Sequence, residues 1–130
     1  MKIEDFFSTC EVHSKELLEE RLLRVRQGAY GAFVLEHETS LSALWIHINA
    51  GSAFLYWFID PDTDHPGFCS YNARANREKK EIFFLQVGGV VADGFTVSSN
   101  NTVEVSAAID SAIEYLATKE RPTCIQWVEQ

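Results

Sequence analysis

Apolar and polar residues alternate with two different periods along the chain, and the change of period marks the elements. Leu17, Leu18, Leu22 and Val25 recur at helical spacing, which predicts a helix entered at Ser14 and running to about Gln27. Ser14 offers an N-cap oxygen, Glu16 lies in the first turn, and Arg24 and Arg26 in the last turn complement the helix dipole. Gly28 is the expected stop. A second helix is expected from about Ala107 to Thr118, capped by Ser106, with Ile109, Ala112, Ile113 and Leu116 as its buried stripe. Pro122 closes that region, and Thr123 to Val128 reads as a final strand with Ile125 and Trp127 on one face.

Between the helices the period falls to two. Ala32 to Glu36, Ala43 to Asn49 and Ser52 to Ile59 are rich in β-branched and aromatic residues, and Ala50-Gly51 joins the last two as a tight turn. Gly67 to Tyr71 and Glu81 to Val87 are further strands, with a charged loop from Asn72 to Lys80 between them and Gly88-Gly89 and Asp93-Gly94 as later breaks. A short strand can precede the first helix. This pattern predicts an α+β fold: one mainly antiparallel sheet of five to seven strands, with two helices packed on one face, forming a single domain over residues 1–130.

In the strand from Ser52, Leu55, Trp57 and Ile59 point one way, and Phe54, Tyr56 and Phe58 the other. In its neighbour, Leu44, Ile46 and Ile48 oppose Trp45 and His47. Both faces of the sheet are therefore apolar, while only two helices are at hand to cover them. Either helices and loops wrap the sheet, or one face keeps an aromatic patch exposed, which would mark an interaction surface.

Charge gives that surface a direction. The net charge of −8 argues against nucleic acid and anionic membrane as partners, since both need a basic footprint. From Gln27 to Ala73 there is no Lys or Arg, and from Glu81 to Thr118 again none. A field of one sign steers a basic protein toward these segments, although acidity also serves solubility alone. The opening MKIEDFFSTCEVHSKE has no apolar run suited to a signal peptide, and no stretch approaches the roughly 20 apolar residues of a membrane span, so a cytoplasmic protein is expected. Cys10, Cys69 and Cys124 are an odd number without CxxC spacing, which fits reduced thiols better than a disulfide framework or a zinc site.

No catalytic constellation is legible. Asp60-Pro61-Asp62-Thr63-Asp64 opens like a calcium loop, but His65 and Tyr71 stand where that loop needs its Gly and its Glu. The four histidines form no zinc motif. His65 and Cys69 are close in sequence without a third group to orient them. There is no GxSxG, no Walker loop and no GxGxxG, and Val87-Gly88-Gly89-Val90 reads as a turn or bulge. The expectation is a binding protein, not an enzyme, with neither cofactor nor metal. An adaptor or subunit with another protein partner, and a small Cys/His enzyme built on Cys69 and His65, are the alternatives.

The C-terminal residues carry a resemblance. Ala108 to Leu116, then Thr118-Lys119-Glu120-Arg121-Pro122, then Ile125-Gln126-Trp127-Val128-Glu129 resemble the end of the immunity-protein family catalogued first among bacterial polymorphic toxin systems. In that family a helix leads through a Gly-x-Arg-Pro-like turn to a strand bearing Trp. Lys119 stands at the Gly position. The paired strands Leu44 to Asn49 and Phe54 to Trp57 and the turn His65-Pro66-Gly67-Phe68 are also similar, so the resemblance spans residues 30–130. It implies a cytosolic inhibitor that binds a cognate secreted toxin, commonly a nucleic-acid deaminase, stoichiometrically and without a cofactor. It transfers no inhibitory residue set. From the residues themselves, Glu38, Asp60, Asp62 and Asp64 are the expected electrostatic contacts with a basic toxin domain, and Tyr56, Tyr71 and Trp45 the aromatic anchors. Core packing competes for each aromatic, most strongly for Trp45.

Overall fold

The computed structural model describes residues 1–60, 62–72, 79–87 and 93–130. Ten strands and two helices follow one another as β1 (Lys2–Glu4), β2 (Thr9–Glu11), α1 (Lys15–Arg24), β3 (Tyr30–Glu36), β4 (Ala43–Asn49), β5 (Ser52–Phe58), β6 (Phe68–Tyr71), β7 (Glu81–Leu85), β8 (Gly94–Ser98), β9 (Val103–Glu104), α2 (Val105–Thr118) and β10 (Gln126–Glu129). Eight strands form one antiparallel sheet in the order β10-β6-β5-β4-β3-β1-β2, with β9 beside the start of β5. The remaining two, β7 and β8, form a separate hairpin. Within the described residues neither helix is long and apolar enough to cross a membrane.

The α+β class, the antiparallel sheet and the two helices on one face are as expected. The sheet is wider than five to seven strands because three short strands join it. β1 and β2 pair ahead of α1, and β9 attaches only two residues to β5. Segments so short carry too little alternation to be read from the chain. Gly94–Ser98 was also not anticipated as a strand, and β7 pairs with it instead of joining the main sheet. The charged loop of 72–80 and the turn of 87–90 lie largely outside the described residues.

One face of the sheet carries the core. Phe33, Leu35, Leu44, Ile46, Ile48 and Leu55 are fully buried there against Leu18 and Leu22 of α1 and Ala108, Ala112 and Tyr115 of α2. Tyr115 is the largest of these side chains. Its ring meets Trp57 edge-on at 5.3 Å, and its hydroxyl donates to the Ser42 carbonyl at 3.1 Å, so the buried polar atom is satisfied. His37 bonds the Tyr115 carbonyl through Nε2 at 2.8 Å, tying the β3–β4 turn to the last helical turn.

The helix ends differ from expectation in instructive ways. Ser14 caps α1 by accepting from the Leu17 N–H at 3.2 Å, but the helix stops at Arg24, with Val25 already extended. Gly28 (φ 63°) serves instead the turn in which Gln27 and Tyr30 pair, at the entry to β3. α2 starts directly off β9 at Val105, with Glu104 at the cap position and no side-chain cap, so Ser106 is already inside the helix. At its other end Lys119 takes the left-handed conformation (φ 62°), for which glycine is the preferred residue. The β4–β5 hairpin shows the same displacement. Ala50 carries the positive φ of 52°, while Gly51 lies outside the left-handed region.

Candidate protein-binding surface

Strand alternation puts Val34, Trp45, His47, Phe54, Tyr56 and Phe58 on the face away from the helices, and the register pairs Val34 with Trp45 and Trp45 with Tyr56. The β7–β8 hairpin covers one end of this face. Phe84 is fully buried in a small cluster with Phe54 and Cys69. The Asn49 amide donates to the Phe83 carbonyl at 2.9 Å, and Phe95 meets His47 edge-on at 4.9 Å. His47 Nδ1 lies 3.0 Å from the Leu85 carbonyl, which can only accept, so that nitrogen carries a proton and donates it. Burial pushes the His47 pKa down to about 4.

The other end of the same face is open. Trp45, Tyr56 and Phe58 on the sheet, and Gln86, Phe95 and Val97 on the hairpin side, border a groove of about 330 Å³ whose walls are nearly all apolar. Phe58 lies 5.1 Å from Trp45 and 4.6 Å from Tyr56, ring centre to ring centre. Tyr56 donates its hydroxyl to the Pro66 carbonyl, which fixes the ring against the turn before β6. Gly67 (φ 88°) makes that turn possible, since a Cβ there would lie 2.5 Å from the Trp57 carbonyl oxygen. The Trp45 indole N–H is buried and has no hydrogen-bond partner among the described residues.

Of the expected anchors, Trp45 and Tyr56 thus meet as a cross-strand pair beside the groove, and both are only half-buried. Tyr71 does not join them. It lines a different and larger cleft, open and about 1,300 Å³, bounded by Leu41, Ile59, Phe68, Arg121 and Trp127. In this cleft Arg121 lies over the Phe68 ring, 4.4 Å from its centre. The Trp127 indole donates to the Pro122 carbonyl at 2.7 Å, which ties β10 to the turn that follows α2.

The expected carboxylates gather at one end of the sheet. β3 ends, β4 begins and β5 ends in the row Glu36–Ala43–Phe58, so the turn holding Glu38 and the loop holding Asp60, Asp62 and Asp64 leave the sheet on the same side. Glu38, Asp62 and Asp64 are exposed. Asp60 has a local duty as well, because its carboxylate accepts from the Asp62 N–H at 2.9 Å and so shapes the loop. The charge here is not of one sign. Lys119 extends from the end of α2 to Thr39, 2.9 Å away, and shares a cleft with Glu38. A stretch of chain free of cations is therefore not a patch free of them.

His65 and Cys69, the alternative catalytic pair, are engaged apart. His65 bonds Glu129 through Nε2 at 3.1 Å and accepts the Gly67 N–H through Nδ1 at 2.9 Å, while its ring stacks on Phe68. Cys69 is buried beneath the hairpin, where burial raises its thiol pKa and the Gln130 amide meets its sulfur at 3.0 Å. That is the environment of an inert thiol.

Sequence reasoning missed Phe95, Val97 and Gln86 as walls of the groove, and Glu36 and Glu4 as the carboxylates beside it. The alternation Phe95-Thr96-Val97 could have identified β8. Only strand register could have placed Glu36 beside Lys2, where they form an ion pair at 3.1 Å. No known protein-family model matches the sequence, and no curated protein shows significant similarity to it.

Proposed function

We propose that this protein is a cytosolic immunity protein that binds a cognate secreted toxin and neutralises it by direct protein–protein contact, without a cofactor. The toxin is of the nucleic-acid-targeting class, a deaminase or nuclease. The observation that carries the reading is the half-open aromatic face of the sheet, with Trp45, Tyr56 and Phe58 at its surface, beside loops that present Glu38, Asp62 and Asp64. Large rings partly accessible in a groove are the usual anchors of a protein interface, and flanking carboxylates accelerate association with a basic partner. A toxin that handles nucleic acid has a basic groove, in which these carboxylates can stand where phosphates would lie.

The resemblance in the C-terminal region is supported by backbone geometry. Lys119, at the position where the family has Gly, is left-handed, the conformation that glycine adopts at least cost. The His65-Pro66-Gly67 turn holds Tyr56, and the Arg121-Pro122 turn holds Trp127.

The test is co-purification with the toxin domain encoded by the neighbouring reading frame, followed by assay of that domain's activity. A one-to-one complex that loses affinity as salt rises, together with loss of toxin activity, is expected. Absence of any complex on a sizing column at low salt, with full toxin activity retained, sinks the proposal.

A further inference from the structure

We propose that the groove between Trp45, Tyr56 and Phe58 receives an arginine side chain of the protein partner. The inference deepens the binding role proposed above and rests on it, but it concerns a narrower matter, the chemistry that this groove selects.

The floor and walls explain half of that selection. Three aromatic rings on adjacent strands lie within 4.6 to 5.1 Å of one another along the line Trp45–Phe58–Tyr56, and each keeps a minor part of its surface accessible. Ring faces attract a cation placed within about 6 Å of their centres, and a guanidinium more readily than an ammonium, since it is planar and less strongly hydrated. The groove has few polar atoms to compete for that cation. His47, the basic residue of its lining among the described residues, is held neutral by burial and spends its N–H on the Leu85 carbonyl.

Charge supplies the other half. Glu36 lies in the same cross-strand row as Phe58, and Glu4 in the same row as Trp45. Each carboxylate is two strand spacings from its ring, roughly 10 Å. Lys2 is the only Lys or Arg in any of the ten strands, and Glu36 already pairs with it. Among the described residues this part of the face therefore has aromatic rings, the Lys2–Glu36 pair and one carboxylate without an ion pair, that of Glu4. The contrast with the opposite face is informative. There, Phe68 is covered at 4.4 Å by the chain's own Arg121. The described residues supply no such guanidinium to the Trp45 groove, and a partner's arginine would complete it. A leucine or phenylalanine would fill the volume but would leave the Glu4 carboxylate unmatched.

The probe is the blocked tripeptide Gly-Arg-Gly, compared with the citrulline and leucine versions, titrated into the full isotopically labelled chain. The indole N–H of Trp45, buried and without a partner among the described residues, is the reporter, and those of Trp57 and Trp127 are internal controls. The arginine peptide is expected to move the Trp45 signal saturably. The citrulline peptide, neutral but of the same shape, should bind about tenfold more weakly. Phe58→Leu, which keeps an apolar side chain, should weaken the arginine peptide by several-fold, and the comparison of peptides on the unmodified protein needs no variant at all. Equal binding of the citrulline or leucine peptide overturns the proposal, as does a Trp45 signal that no arginine concentration moves. Neither result depends on having the toxin, so failure here is distinguishable from failure of the immunity role.

Discussion

The two faces of the main sheet are built from the same strands, alternate residues going to each, and they differ in how their apolar side chains are covered. On the helix side the residues are mostly aliphatic. Leu44, Ile46, Ile48 and Leu55 have no accessible surface, and α1 and α2 lie across them. On the far side the residues are mostly aromatic. A two-stranded hairpin buries Phe54 and Phe84, while Trp45, Tyr56 and Phe58 remain partly accessible. Helices bring a continuous stripe that seals a sheet, whereas a short hairpin covers only the strands directly beneath it. The first arrangement maximises buried area and stability. The second leaves a groove with chemistry in it.

If this contrast is right, substitutions on the two faces should have unlike consequences. Leu55→Ala removes a fully buried side chain and should cost about 4 kcal/mol. Three residues on in the same strand and on the other face, Phe58→Ala should cost less, about 2 kcal/mol, despite removing a larger group. Urea denaturation of both variants makes the comparison, and equal losses would show that the open face is core after all.

The next effect is acid sensitivity, centred on the hairpin side. His47 titrates near 6.5 in the unfolded chain and near 4 in the folded one. Between those values the unfolded chain holds a proton that the folded chain does not, so stability rises with pH through this window. It is fully present above about pH 6.5, and about 3 kcal/mol of it should be gone by pH 4. His37, also lowered by burial, adds slope in the same direction. Stability measured at a series of pH values should fall accordingly, and His47→Gln should flatten most but not all of the slope. A wild-type profile that is level from pH 7 to 4 contradicts the burial of both rings.

The smallest effect concerns how independently the hairpin sits. Asn49→Ala removes the bond to the Phe83 carbonyl and should cost about 1 kcal/mol. Hydrogen exchange should quicken in β7 and β8 while the strands under the helices keep their protection. Uniform acceleration through both sheets would mean that the two layers open as one unit.

Much of the local structure was legible. The alternation in Ala43 to Asn49 and Ser52 to Phe58 is long enough to define two strands and to assign each residue a face. Of the expected helical stripes, Leu18, Leu22, Ile109 and Ala112 are buried, whereas Leu17 is exposed and Ile113 and Leu116 are only partly buried. Glycines were read less well, because a turn's position depends on the strands it joins. Gly51 marked the right hairpin, but the left-handed residue is Ala50, and Gly28 shapes the entry to β3 instead of ending α1. Of the expected anchors, Trp45 and Tyr56 are brought together by the β4–β5 register, whereas Tyr71 lies at another cleft because β6 carries it toward β10.

The sequence by itself determined the periods, hence the strands, the helices and the two apolar faces of the sheet, since side-chain direction follows directly from backbone repeat. It also determined the excess of carboxylates and the absence of Lys and Arg from every strand after β1. Only the tertiary structure decided which face the helices seal, where the hairpin settles, and which charges become neighbours. Those outcomes depend on contacts between residues far apart in the chain. Lys119 reaches Thr39, Lys2 pairs with Glu36, and Leu85 meets His47. Such contacts are set by how layers pack, and no local pattern encodes them.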